Sequence, residues 1–95
     1  MIRKMKEEIE LFSRHIVIVR AVLANQPIGI MKLAEYLNLP SHRIRYSLHV
    51  LEQFGYIRAS PDGAIATAKA TRLLNGIDAD LDDLIELLGE MKSVR

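Results

Sequence analysis

The feature that most constrains this chain is an apolar repeat near its start. Ile2, Met5, Ile9, Phe12, Ile16, Val19 and Leu23 recur at alternating intervals of three and four residues, the a/d seam of a helix that lays one narrow stripe against a partner. A second stripe, Leu11, His15, Ile18 and Val22, runs beside it, so the apolar face is narrow early and wide after Ser13. The pattern predicts a long helix with two burial partners: residues 14–24 belong to a core, and residues 2–12 reach past it. Ser13 offers the alternative of capping a second helix and dividing the segment. In both cases Ala24-Asn25-Gln26-Pro27 ends it, because the residue before a proline is pushed out of helical geometry.

Short elements follow. Ile30–Leu37 reads as a helix with Ile30, Leu33, Ala34 and Leu37 on one face, and Asn38 is suited to the left-handed conformation that stops it. Leu39-Pro40 completes a tight turn. Ser41 is expected to cap a third helix that runs to about Phe54, is closed by Gly55, and carries Ile44, Leu48 and Leu51 as its core stripe. Residues 56–60 and 64–67 are strand candidates on either side of Ser60-Pro61-Asp62-Gly63, a strong turn signal. A short helix from Thr67 or Ala68 to Leu74 is expected to break at Asn75-Gly76, with Asp78 capping a last helix to about Lys92. Leu81, Leu84, Leu88 and Met91 form the stripe of that last helix, widened by Ile77, Ile85 and Leu87. The acids in its first turns would suit the helix dipole.

Composition mainly excludes. The 95 residues contain no cysteine, which removes disulfide scaffolds, thiolate zinc sites and thiol nucleophiles and agrees with a cytoplasmic location. The longest largely apolar stretch, residues 15–31, is interrupted by Arg20, Asn25, Gln26, Pro27 and Gly29. It is too short and broken to span a membrane, and no signal peptide is read in the charged start. The net charge of +1 conceals a segregation. Residues 1–75 hold eleven basic and six acidic residues, a net +5, whereas residues 76–95 hold two basic and six acidic, a net −4. That asymmetry fits a body that faces nucleic acid and carries an acidic appendage.

The order of elements, helix, helix, tight turn, helix, β-hairpin, is that of a winged helix-turn-helix, and residues 27–57 carry a closer resemblance. Pro27-Ile28-Gly29-Ile30-Met31-Lys32-Leu33-Ala34-Glu35-Tyr36-Leu37-Asn38-Leu39-Pro40 resembles that family's P-L-T-V-x-x-L-A-x-x-L-G-L-S helix and turn. His42 to Ile57 resembles its x-x-V-x-x-x-L-x-x-L-E-x-x-G-L-I recognition helix and strand entry, and Ser60-Pro61-Asp62-Gly63 with Thr67-Ala68-Lys69-Ala70 resembles its wing and exit. The match spans about residues 14–75 and is similar to small one-domain regulators of the MarR, PadR and ArsR kind, including archaeal ones. The departures are Asn38 for the usual turn glycine, Gly29 for the Ser/Thr cap, Ala70 for a glycine, and Pro40 for a serine. The resemblance implies one mostly α domain with a small β-hairpin wing over residues 1–95: a winged-helix core at 14–75, with flanking dimerisation helices at 1–13 and 76–95.

It further implies that the third helix, residues 41–54, enters a DNA major groove while the wing, 56–67, lies along the adjacent backbone. Stepping about 100° per residue from Ile44, His42, Tyr46, His49 and Gln53 fall opposite the core stripe. Arg45 flanks them, and Ser41 and Arg43 sit at the N-terminal end. Arginine forks suit guanine or phosphate, and no acid lies between Leu39 and Leu51. Lys32, Arg58, Lys69 and Arg72 are further phosphate candidates, whereas Asp62 at the wing tip has the wrong sign. His42 and His49 are about 10 Å apart along the helix, and His49 with Glu52 lacks a third ligand. No metal, cofactor or enzymatic motif is therefore expected. Ile2, Met5, Ile9 and Phe12 with Leu81, Leu84, Leu88 and Met91 are expected to pair across a two-fold axis in a homodimer, the alternative being that both helices fold back on their own domain. The expected function is that of a transcriptional regulator binding double-stranded DNA, with no separate domain left for a small-molecule effector. The other reading is a winged-helix protein–protein module of the transcription machinery.

Overall fold

The apolar repeat forms one uninterrupted helix, α1 (Ile2–Asn25), in a computed structural model that describes residues 1–92; residues 93–95 of the acidic tail lie outside it. Ser13 does not divide α1, because the four-residue step from Phe12 to Ile16 keeps the seam in phase across it. Gln26 turns extended ahead of Pro27, at φ −61° and ψ 144°. Ile16, Ile18, Val19, Ala21 and Val22 are buried, whereas residues 1–10 are all exposed. The helix belongs to the core over its second half only.

Helix α2 (Ile30–Leu37) stops at Asn38, whose φ of 53° and ψ of 47° are left-handed and whose N–H returns to the carbonyls of Ala34 and Glu35. Helix α3 (Ser41–Gln53) starts one residue earlier than expected: Pro40 is its N-cap, and Ser41 is its first helical residue and makes no capping bond. Pro40 already has the extended backbone an N-cap requires, at φ −61° and ψ 141°, and its carbonyl accepts from the N–H groups of Arg43 and Ile44 at 3.1 and 3.3 Å. Gly55, at φ +80°, lets the chain turn out of α3.

Strands β1 (Ile57–Ser60) and β2 (Gly63–Ala66) pair antiparallel, with Ile57 opposite Ala66 and Ser60 opposite Gly63 across a turn at Pro61-Asp62. Tyr56 and Thr67, expected in the strands, flank them instead. Thr67 caps α4, accepting from the Ala70 N–H, and its hydroxyl donates to the Gly55 carbonyl at 2.6 Å. The hairpin is also tied to the α1–α2 linker. Ile28 and Ala64 exchange backbone hydrogen bonds at 3.2 and 2.8 Å, and the Gln26 side-chain carbonyl accepts from the Ala66 N–H at 2.8 Å.

The last two expected helices are one helix, α4 (Ala68–Glu90), which runs through Asn75-Gly76. Leu74 packs on the core and Ile77 is 2% exposed, so apolar anchors lie on both sides of the weak point. A mid-helix glycine costs about 1 kcal/mol, less than the roughly 1.5–3 kcal/mol gained by burying an isoleucine. Two expectations fall with the break. Asp78 caps nothing; it lies 3.8 Å from Arg20 in an exposed ion pair. The acids of residues 78–86 sit in mid-helix, away from the N-terminal dipole.

Ile18, Val19 and Val22 of α1, Leu33 of α2, Ile44 and Leu51 of α3, Ile57 and Ala64 of the hairpin and Ala70 of α4 form the core. The result is mostly helical with one small hairpin. A long axis of 57 Å against 26 and 22 Å reflects helices that outrun this core.

Two glycines make opposite predictions. A Cβ on Gly63, already at φ +129°, would lie 2.5 Å from the Ile28 carbonyl carbon, so Gly63→Ala should cost about 2–4 kcal/mol through strain and loss of the Ile28–Ala64 pairing. Gly76 has nothing within 4 Å, so Gly76→Ala should add about 0.5–1 kcal/mol and raise Tm by a few degrees. Thermal melts that shift the two variants in the same direction would contradict both assignments.

Candidate nucleic-acid interface

With Ile44 and Leu51 turned into the core, the opposite surface of α3 is open. His42, Arg43, Arg45, Tyr46, His49 and Gln53 are exposed, and Ser41 is half-buried at the helix start. Neither Arg43 nor Arg45 has a carboxylate within ion-pairing distance among the described residues, where the ion pair present is Arg20–Asp78.

The two flanks of α3 differ. On one side a cleft of about 520 Å³ separates α3 from the hairpin, lined by Arg45, His49 and Glu52 of α3 and by Ala59, Ser60 and Asp62 of the hairpin. Glu52 and Asp62 place two carboxylates there. Ile57 and Ala59 line this cleft and Arg58 does not, as strand alternation requires, so the hairpin's one cation lies on its other face. Lys32 is exposed on α2. Lys69 is committed locally: its ammonium donates to the Phe54 carbonyl at 2.7 Å and sits 4.7 Å from the Tyr56 ring centre, which ties the start of α4 to the end of α3.

On the other flank the structure brings in Arg14 and Ser47, which the periodicity did not single out. Ser47 of α3 is fully buried, and its hydroxyl oxygen accepts from Nε of Arg14 at 3.0 Å. The Arg14 guanidinium lies 5.9 Å from the Tyr46 ring centre, and the His15 ring stacks on the same tyrosine, 6.4 Å between centres at 29°. Nδ1 of His15 is buried without a hydrogen-bond partner among the described residues. Burial, and secondarily the neighbouring Arg14 charge, hold the His15 pKa below its ordinary 6.5. One signal was available: Ser47, three residues from Ile44 and four from Leu51, shares their face, and a hydroxyl there needs a partner from another element.

Of the residues expected to pair two copies, Ile2, Met5, Ile9 and Phe12 are exposed along the first half of α1. Leu84, Leu88 and Met91 are exposed on α4, and Leu81 is half-buried. Among the described residues no helix is long and apolar enough to cross a membrane, and no cluster of three or more metal-ligating side chains occurs.

No protein-family model matches this chain, and no curated protein matches it.

The His15 environment has a pH signature. A histidine whose folded pKa is depressed takes up its proton in the unfolded chain first, so stability falls as pH drops below about 6.5 and stops falling below the folded pKa. Urea denaturation at about pH 7.5 and 5.5 should show wild type losing more stability than His15→Gln. An equal loss in both would mean that His15 is not desolvated.

Proposed function

We propose that this protein is a winged-helix regulator of transcription that binds double-stranded DNA as a homodimer and acts in the cytoplasm. The observation that carries this is the surface of α3. Two arginines, two histidines and a tyrosine stand exposed on a stretch without an acid, on a helix that follows a tight turn. A major groove about 12 Å wide admits such a helix. Arg43 at its N-terminal end reaches base edges first; Arg45 and His49 then face one bordering strand.

Dimerisation is proposed through the arms. Ile2, Met5, Ile9 and Phe12 on α1 and Leu84, Leu88 and Met91 on α4 are between 39% and 68% exposed, an apolar stripe that water penalises. Ile85 and Leu87, 66% and 51% exposed, flank the α4 stripe on both sides, a width that a single neighbouring helix does not cover. A second copy would cover it and set two recognition helices about 34 Å apart. One observation favours a protein partner over DNA: the hairpin offers Asp62 at its tip and turns Arg58 away from the α3 cleft.

Mobility shifts with a random-sequence duplex at low and moderate salt decide between these. Binding that weakens steeply with salt is expected, and no binding at low salt would defeat the DNA assignment. Given binding, Arg43→Ala should cost about 1–3 kcal/mol on a selected site and flatten discrimination between sequences. Sedimentation equilibrium tests the arms separately: Leu84→Arg with Leu88→Arg should convert dimer to monomer, and an unchanged dimer mass would rule this interface out.

A further inference from the structure

We propose that Arg14, on α1, is a DNA-phosphate contact of the α3 face, a role that rests on the DNA-binding assignment above. Stepping about 100° per residue around α3, Arg45 lies on the hairpin side of the exposed face and Arg43 and Ser47 on the α1 side, with Tyr46 between. A helix seated in a major groove is bordered by phosphates on both sides. On its α1 side α3 itself supplies one cation, Arg43, and the fold adds a second.

The geometry of Arg14 is that of a presented group. Glu10, one turn earlier on α1, is positioned for an i,i+4 ion pair, yet no carboxylate lies within 4 Å of Arg14 among the described residues. The side chain reaches α3 instead. Nε is spent on the buried Ser47 hydroxyl at 3.0 Å, and the guanidinium lies 5.9 Å from the ring centre of the half-exposed Tyr46. Anchoring Nε leaves the two terminal amino groups, with four N–H donors, unengaged in any protein hydrogen bond among the described residues. A fork held at one nitrogen and open at the other two loses little side-chain freedom on meeting a phosphate. Arg14 and Arg43 line one groove, so the two cations act on the same stretch of backbone. Glu7 and Glu10 line that groove too, further along α1 towards its exposed arm.

The test is the salt dependence of binding to a random-sequence duplex, which reads phosphate contacts by number. Arg14→Gln should bind about three- to tenfold more weakly at about 0.1 M salt on all sequences alike, with the slope of log affinity against log salt shallower by about 0.9 for each site bound. Arg14→Met keeps the apolar stem against Tyr46 and should show the same shallower slope. Arg14→Lys should restore the slope. Ser47→Ala, which removes the anchor and leaves the charge, should weaken binding with the slope kept. Circular dichroism on each variant confirms the helical fold. If wild type binds and the slope is unchanged in both Arg14→Gln and Arg14→Met, Arg14 only positions α3 and the proposal is overturned. If wild type does not bind duplex at low salt, the DNA assignment itself has failed and this proposal falls with it.

Discussion

The backbone exchange between Ile28 and Ala64 is the constraint on which the rest of this architecture depends. A two-stranded hairpin alone is marginal in water. Here it gains a third segment, because the extended stretch after α1 offers Ile28 as a one-residue strand. Two backbone hydrogen bonds, with Gln26 reaching Ala66, fix the hairpin against the start of α2. Ile28, Gly63 and Ala64 also line the cleft between the hairpin and α3. Gly63 is the residue that permits the exchange, since the Ile28 backbone occupies the space a side chain would need.

Helix α1 makes a second connection of comparable consequence. Its buried half supplies Ile18, Val19 and Val22 to the core, and the same turns carry Arg14 and His15 to Ser47 and Tyr46 of α3. The first half of this rigid helix is the arm proposed to pair with another copy. Dimer geometry and the setting of the proposed recognition helix are therefore linked through one continuous rod rather than through a flexible joint.

Much of this was legible in the sequence where local chemistry decides. The extent of α2, the left-handed Asn38, the closing Gly55 and the hairpin turn each follow from a residue whose backbone preferences leave few options. The misread points were those where local preference and tertiary burial conflict. Asn75-Gly76 reads as a break, yet Leu74 and Ile77 are held on either side and the helix continues. Ser41 reads as a cap, yet Pro40 already holds the extended backbone that the position requires. Of the proposed interface, the exposed face of α3 follows from helical periodicity around Ile44. The α1 flank does not, because Arg14 and Ser47 are 33 residues apart and no pattern in either helix reports which turn of one meets which turn of the other.

By itself the sequence determined helices α2 and α3 and the hairpin, the order of the elements, the face of α3 that stays in water and the separation of a basic body from an acidic tail. These are properties of short-range geometry and of charge counted along the chain. Tertiary structure alone decided that the last two helices are one, that the Arg58 side chain lies on the far face of the hairpin from the cleft, that Lys69 is committed to the Phe54 carbonyl, and that Arg14 of α1 bonds Ser47 of α3. Each of these turns on which distant groups share a few ångströms, and that is fixed only when the core closes and buried groups such as the Ser47 hydroxyl meet their partners.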